Sequence, residues 1–238
     1  PAPGGGGERR HPDHPPGEPG LCVHDPPGAG PVRRVRSETE KGYRLSGPQT
    51  YAGTDGAVET DWSQAAFWYG ANLLGSQVDI LNLNRSSAQG DMRVVPYSQQ
   101  LSRPGDVELD VSQCPDLVPP LAAMAAVRTG ECRLTNAARL RLKESDRLAT
   151  VTQTLRALGA AVEEGPDSLT FHGLPILEGG VTVDCCNDHR IAMMAAVAAC
   201  ACRRPITLLG AECVNKSYPG FWEDYRQLGG DLDVLISG

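Results

Sequence analysis

The stretch RLRLKESDRLA, Arg139 to Ala149, is dense in ionisable side chains and sits where an apolar strand gives way to an amphipathic helix. Upstream, Cys132 and Leu134 alternate with polar neighbours, the period of a half-buried strand. Downstream, Leu148, Val151, Leu155 and Leu158 recur at helical spacing. Ser145 suits the cap of that helix and Asp146 its first turn. Lys143, Glu144 and Arg147 therefore crowd a helix N-terminus, where unpaired N–H groups already favour an anion.

The same kind of junction recurs. Asp116 opens an Ala-rich helix and Lys143 follows 27 positions later; Asp188 opens another and Lys216 follows after 28. A first unit runs from Asp61 to the loop SSAQGD (Ser86 to Asp91) on the same plan, with a less basic junction. Strands are expected at Val78 to Leu83, Val107 to Asp110, Glu131 to Thr135, Val181 to Val183, Ile206 to Leu209 and Leu232 to Ile236. A hairpin is expected over Ala161 to Glu163 and Leu169 to His172. Helices are expected from about Ser63 to Leu74, from about Met92, over Val118 to Val127, Ser145 to Leu158, Ile191 to Ala201 and Phe221 to Leu228. This alternation indicates an α/β domain, and the repeat indicates pseudo-symmetry with helix N-termini gathered at one end.

Composition narrows the function. The 238 residues are 40% hydrophobic with a formal charge of −7, and the pI is near 5.2, which argues against general nucleic-acid binding. No apolar run reaches membrane-spanning length and no signal peptide opens the chain, so a cytoplasmic protein is expected. Eight cysteines lack paired C-x-x-C spacing; they read as small buried residues in a reducing compartment, with no metal site. Pro1 to about Pro31 is rich in Pro and Gly, with His11, His14 and His24, and reads as a disordered tail dispensable for folding. Val32 to Gly47 alternates weakly and supplies one or two strands. The chain opens on Pro1 rather than Met, which suggests an incomplete or processed polypeptide.

Four cations stand at or near predicted helix starts: Lys143, Arg147, Arg190 in NDHRIAM, and Lys216 in NKSYPGF, where Pro219 suits the first helical turn. Arg offers a planar fork and Lys a compact charge, a set able to hold a phosphate-bearing carboxylic acid. Asp116 and Glu144 share these junctions. Near bound anions a carboxylate tends to hold its proton, which suits proton transfer. Each has a plainer reading: Asp116 as a helix cap, Glu144 as an ion-pair partner, and His189 as a capping or core residue. The residues allow anion binding with acid–base chemistry and do not choose a reaction.

At these junctions the chain resembles the 5-enolpyruvylshikimate-3-phosphate (EPSP) synthases, also called 3-phosphoshikimate 1-carboxyvinyltransferases. The matching segments are DWSQAAFW from Asp61, SSAQGD from Ser86, CPDLVPPLA from Cys114, LRLKESDRL from Leu140, NDHRIAMMAA from Asn187 and NKSYPGFWEDYRQLGG from Asn215. The resemblance implies transfer of enolpyruvyl from phosphoenolpyruvate to the 5-hydroxyl of shikimate 3-phosphate, with phosphate release and no cofactor, in aromatic amino acid biosynthesis. It implies a domain of three βαβαββ-like units with inward-packed helices. Arg147, Arg190 and Lys216 would hold phosphoenolpyruvate, and Lys143 would contact shikimate 3-phosphate. Asp116 would bind the shikimate ring and accept the hydroxyl proton, and Glu144 would protonate the methylene carbon. Some members place a shikimate-contacting Asn four residues before the Lys, where this chain has Arg139.

The resemblance further divides the chain into the tail 1–31, a remnant and connection of an N-terminal domain over 32–57, and a C-terminal enolpyruvyl transferase domain over 58–238. The family's N-terminal domain, which completes the substrate cleft, has no counterpart upstream of Val32. A partial synthase is thus expected to turn over only with that domain supplied. The competing reading is a non-catalytic binding or assembly module that kept the fold.

Overall fold

The computed structural model describes residues 57–234 and the backbone of 36–39 and 42–45. The expected tail lies outside the described residues. Strands β1 (Arg36–Thr39) and β2 (Gly42–Leu45) pair antiparallel, two strands within the Val32–Gly47 stretch where one or two were expected.

The body is built on a four-stranded sheet of order β3-β4-β6-β5, formed by β3 (Val107–Asp110), β4 (Glu131–Thr135), β5 (Ala161–Glu164) and β6 (Leu169–His172). β3 and β4 run parallel; β4/β6 and β6/β5 are antiparallel, with Cys132 opposite Phe171 and Phe171 opposite Val162. All three side chains face the core while Glu131 and Arg133 face outward, so strand period fixes the register. Two short parallel pairs complete the strands: β7 (Leu177–Gly179) with β9 (Cys202–Arg204), and β8 (Thr182–Asp184) with β10 (Thr207–Leu209).

The helices pack inward. All nine residues of α3 (Val118–Ala126) are buried, as are His189 through Ala198 of α5 (His189–Ala199). Helices apolar on every side belong in a core, and their alanines let backbones approach closely. α1 (Trp62–Leu73) meets them through Gly70, where a Cβ would stand 3.2 Å from Val197 Cγ1. α2 (Val94–Leu101) follows a 3-10 turn at Gly90–Arg93, α4 (Arg147–Ala157) covers β5, and α6 (Phe221–Gln227) closes the body. Leu121, Leu134, Leu148 and Phe171 are fully buried, each stabilising the fold by about 1.5–3 kcal/mol.

Several expectations are corrected. Val78–Leu83 and the described part of Leu232–Ile236 form no strand, because neither finds a ladder partner among the described residues. The first segment instead walls a cavity of about 360 Å³ with Trp68, Tyr218 and Leu228; none of Asp116, Lys143, Glu144, Arg147, Arg190 and Lys216 lines it. β7 and β9 were not anticipated, since three residues carry too little periodicity to read. α6 starts at Phe221, so Pro219 precedes the helix rather than entering its first turn. Of the cysteines, Cys114, Cys132, Cys185 and Cys213 are buried as expected, whereas Cys186 and Cys200 are exposed. No described helix is long and apolar enough to cross a membrane.

Candidate functional site

The expected gathering of helix starts is realised through side chains. Asp61 caps α1, accepting from Ser63 N at 2.8 Å, and Asp188 caps α5, accepting from Arg190 N at 3.0 Å. Asp146, not Ser145, caps α4 through Ala149 N. Ser145 turns inward and donates to Asp188 Oδ2 at 2.9 Å. Arg190 Nη2 reaches Ser63 Oγ at 3.1 Å, tying α5 to α1. Gln64 of α1 donates to the Ser217 carbonyl at 2.8 Å, tying α1 to the loop that carries Lys216.

The charges in RLRLKESDRLA divide by direction. Arg141 points away, bonding Asp146 at 2.9 Å and Glu164 at 2.9 Å and thereby pinning the loop to the β5–β6 hairpin. Lys143, Glu144 and Arg147 point inward. Arg147 is buried to 1% exposure and spends its guanidinium on three carboxylates. Nη1 donates to Asp116 Oδ1 at 2.8 Å, Nε to Asp188 Oδ2 at 2.8 Å, and Nη2 to Asp188 Oδ1 at 3.2 Å and to Glu144. Such a cation is tolerable in the interior only because its donors are met by opposite charge. Burial disfavours its charge, but Asp188, Asp116 and Glu144 outweigh that and raise its pKa further.

Asp116 is the hub. Besides Arg147 it receives Lys143 Nζ at 3.3 Å and Arg190 Nη2 at 3.6 Å, while Arg190 Nη1 donates to its backbone carbonyl at 3.3 Å. The capping reading is thus corrected: Asp116 lies in the 3-10 turn Pro115–Leu117, and its carboxylate serves three cations from two other segments, KESDR and NDHR. Burial alone would raise this carboxyl, yet Arg190, Lys143 and Arg147 together hold it below the ordinary carboxylate range. The expectation of a carboxylate that keeps its proton concerns a site filled by anions; with the protein's own charges alone, Arg190, Lys143 and Arg147 outweigh burial at Asp116.

Glu144 does pair with a cation, Arg147, while remaining 41% exposed, so its carboxyl is both anchored and accessible. Lys216 stands at the edge of the group, donating to the Asn187 carbonyl at 2.7 Å, one residue from Asp188. His189 neither caps nor hydrogen-bonds through Nδ1: the cap is Asp188, and buried Nδ1 has no partner. Burial, then the neighbouring Arg190, lowers its pKa and keeps it neutral. Sequence reasoning assigned Asp188 only the opening of a helix, and missed Ser63 and Ser145. The first had a visible signal, an acid two positions before the Arg of NDHR; Ser63 had none, and Ser145 signalled only a cap.

A family model described as EPSP synthase (3-phosphoshikimate 1-carboxyvinyltransferase) matches residues 33–225. The 3-phosphoshikimate 1-carboxyvinyltransferase of Clostridium kluyveri is 44% identical over 219 residues, covering 86% of this chain and 51% of its own length. That of Clostridium acetobutylicum is 43% identical over 211 residues, covering 83% and 49%. The chain therefore spans about half the length of the curated relatives it matches. Among solved structures, an EPSP synthase from Acinetobacter baumannii superposes with a TM-score of 0.72 at 22% identity, over 86% of this chain and 53% of that one. The enolpyruvyl transferase NikO from Streptomyces tendae gives 0.60 at 16%, over 84% and 51%. At those identities the likeness concerns the fold, which is that of the enolpyruvyl transferases. With the family model covering most of its length and the curated relatives above 40% identity, the chain belongs to the EPSP synthase family.

Proposed function

We propose that this chain carries the C-terminal catalytic face of a 3-phosphoshikimate 1-carboxyvinyltransferase and acts in the cytoplasm together with a second, N-terminal domain. On this reading 58–238 is the domain, 32–57 its connection and 1–31 a dispensable tail. The observation that carries it is Asp116, with Lys143, Arg147 and Arg190 at 3.3, 2.8 and 3.6 Å. A carboxylate ringed by three cations marks a place where anions are held and a proton is handled.

Phosphoenolpyruvate lies against Arg190, Lys216 and the Arg147 edge, and Lys143 meets shikimate 3-phosphate. Asp116 accepts the proton of the 5-hydroxyl as its oxygen bonds C2 of phosphoenolpyruvate. Glu144, in its acid form, protonates C3, giving a tetrahedral adduct. In the second step the C2–O bond to phosphate breaks, phosphate leaves with the proton that Asp116 had taken from the hydroxyl, and Glu144 takes the proton back from C3. Arg147 touches both carboxyls and holds them in register. Neutralising the cations with substrate anions relieves the depression of Asp116 and makes it a stronger base.

The test is phosphate release from phosphoenolpyruvate and shikimate 3-phosphate, with the chain alone and with the N-terminal half of the Clostridium kluyveri relative added. Positioning is worth roughly 7–11 kcal/mol of barrier, so the chain alone should give background rates and the mixture should turn over. Turnover by the chain alone would defeat the two-domain claim. A folded complex with no turnover would defeat the catalytic one.

A further inference from the structure

The first turn of α1 carries two consecutive polar residues that the proposed chemistry does not use, and each is bonded to a different part of the cluster. Ser63 is buried, and its hydroxyl donates to Asp61 Oδ1 at 2.8 Å. The one hydroxyl proton is thereby committed, leaving a lone pair for Arg190 Nη2 at 3.1 Å. Gln64, half-buried, donates Nε2 to the carbonyl of Ser217, the residue after Lys216, at 2.8 Å. Lys216 Nζ in turn reaches the carbonyl of Asn187, on the loop that leads to Arg190, at 2.7 Å. The bonds close a triangle: α1 to NDHR, NDHR to the Lys216 loop, and that loop back to α1.

The α1 corner is held firmly. Glu59 accepts from Asn84, Ser87 and Gln89 at 2.8–2.9 Å, and Gln89 Oε1 accepts from Trp62 N at 2.9 Å, fixing the SSAQGD loop to the head of α1. Gly90 then lies so close to the segment preceding Asp116 that a Cβ there would stand 2.4 Å from the Gln113 carbonyl oxygen.

We infer that Ser63 and Gln64 are positioning residues: they set the separation of Arg190 and Lys216 and so match the site to a ligand with two anionic ends rather than to a single anion. The inference rests on the reading of those two cations as the phosphoenolpyruvate clamp. Behind its contact with the Asp116 carboxylate, Arg190 is fixed by two neutral acceptors, Ser63 Oγ on Nη2 and the Asp116 carbonyl on Nη1. Lys216 has a flexible stem, so its place depends on the backbone that carries it, and Gln64 pins that backbone at the next residue. A carboxylate and a phosphate on one short carbon skeleton engage both cations at one spacing only, whereas inorganic phosphate meets either cation wherever it stands. Losing either bond therefore costs the two-ended ligand more.

Phosphoenolpyruvate and inorganic phosphate are titrated separately into the full chain by calorimetry. Ser63→Ala keeps the Asp61 cap, which also accepts from the Ser63 N–H, and Gln64→Met keeps the side-chain length while removing the donor. Each should weaken phosphoenolpyruvate about tenfold and phosphate less than about twofold. Ser63→Ala should add little to Arg190→Ala, and Gln64→Met little to Lys216→Ala, as expected of residues acting through those cations. Should Ser63→Ala fail to fold, the half-buried Gln64 carries the test alone. In a folded variant, equal weakening of both ligands, or no weakening, overturns the inference while the anion site stands. So does a parent that binds phosphoenolpyruvate no more tightly than phosphate. No saturable binding of either ligand overturns the anion reading and this inference with it.

Discussion

Arg147 and Asp188 are joined by two hydrogen bonds, Nε to Oδ2 at 2.8 Å and Nη2 to Oδ1 at 3.2 Å, with both side chains buried. This fork joins the KESDR loop to the NDHR loop across 41 residues of sequence. Asp188 also accepts from Ser145 and from the backbone of Arg190, so each of its oxygens is doubly bonded. The pair holds α4 against α5 and sets the height at which Arg190 and Glu144 present themselves.

Breaking the fork should cost stability before it costs chemistry. Asp188→Ala leaves the Arg147 charge buried with less compensation, and removing one partner of a buried pair costs roughly 3–5 kcal/mol. Urea unfolding should show that loss. The double variant Arg147→Met, Asp188→Leu should recover most of it, since an apolar pair of similar volume is often neutral. A loss under about 1 kcal/mol for Asp188→Ala would mean that the fork is not structural.

Glu144→Gln should behave in the opposite way. The side chain is 41% exposed and Arg147 keeps its other partners, so unfolding free energy should move by less than about 0.5 kcal/mol. In the complemented enzyme kcat should fall about a hundredfold or more, with the KM for shikimate 3-phosphate nearly unchanged. Arg190→Ala and Lys216→Ala should instead lower kcat/KM for phosphoenolpyruvate roughly tenfold to a hundredfold, since each deletes a charge-assisted bond worth about 1.5–3 kcal/mol. If all three variants stay within twofold of the parent while folded, the site assignment is wrong.

Stability should respond to pH with two signs. Asp116 and Asp188 lie below their ordinary value of 3.8, so the stability they contribute is complete above that value and is lost as pH falls through their depressed pKa values. Asp91, raised to about 6, binds its proton more tightly folded than unfolded, so it costs stability as pH rises from about 4 to 6. Asp91→Asn should therefore raise Tm at pH 7.5 and leave it unchanged at pH 4. Equal shifts at both pH values would show that the substitution acts through packing instead.

Gly90→Ala tests the loop contact. A methyl placed 2.4 Å from a backbone oxygen forces the two loops apart, a strain of roughly 1–3 kcal/mol. Both stability and phosphoenolpyruvate affinity should drop, by thermal unfolding and calorimetry respectively. A drop in stability alone would separate the loop contact from the site.

The sequence carried the body of the fold because its longer elements are strongly periodic. β3 and β4 have their expected bounds, and the helices fall within two residues of expectation, the head of α4 being one of the places where the full two are missed. There Ser145 and Asp146 are both good caps, and only the tertiary demand of Asp188 for the serine hydroxyl decides between them. Val78–Leu83 shows the limit from the other side, since alternation announces a strand but says nothing about whether a partner lies alongside. The charged junctions were legible as a set, while the direction of each charge was not. Arg141 and Lys143 differ by two positions and face opposite ways, and nothing in the sequence announced the three carboxylate partners of Arg147. Asp91 was visible only as the end of a polar loop, because its character comes from neighbours 25 to 99 residues away.

Asp116 stands among the cations as a resident competitor. An incoming phosphate or carboxylate does not simply add to a positive surface; it exchanges with an ion pair that already exists. Its affinity is then the difference between two sets of contacts, and salt that weakens one set weakens the other. Binding should accordingly change less with ionic strength than a count of four positive side chains suggests. On the proposed function, the ligands favoured over a bare anion are those that occupy the Arg and Lys positions and also leave Asp116 a hydroxyl to hold.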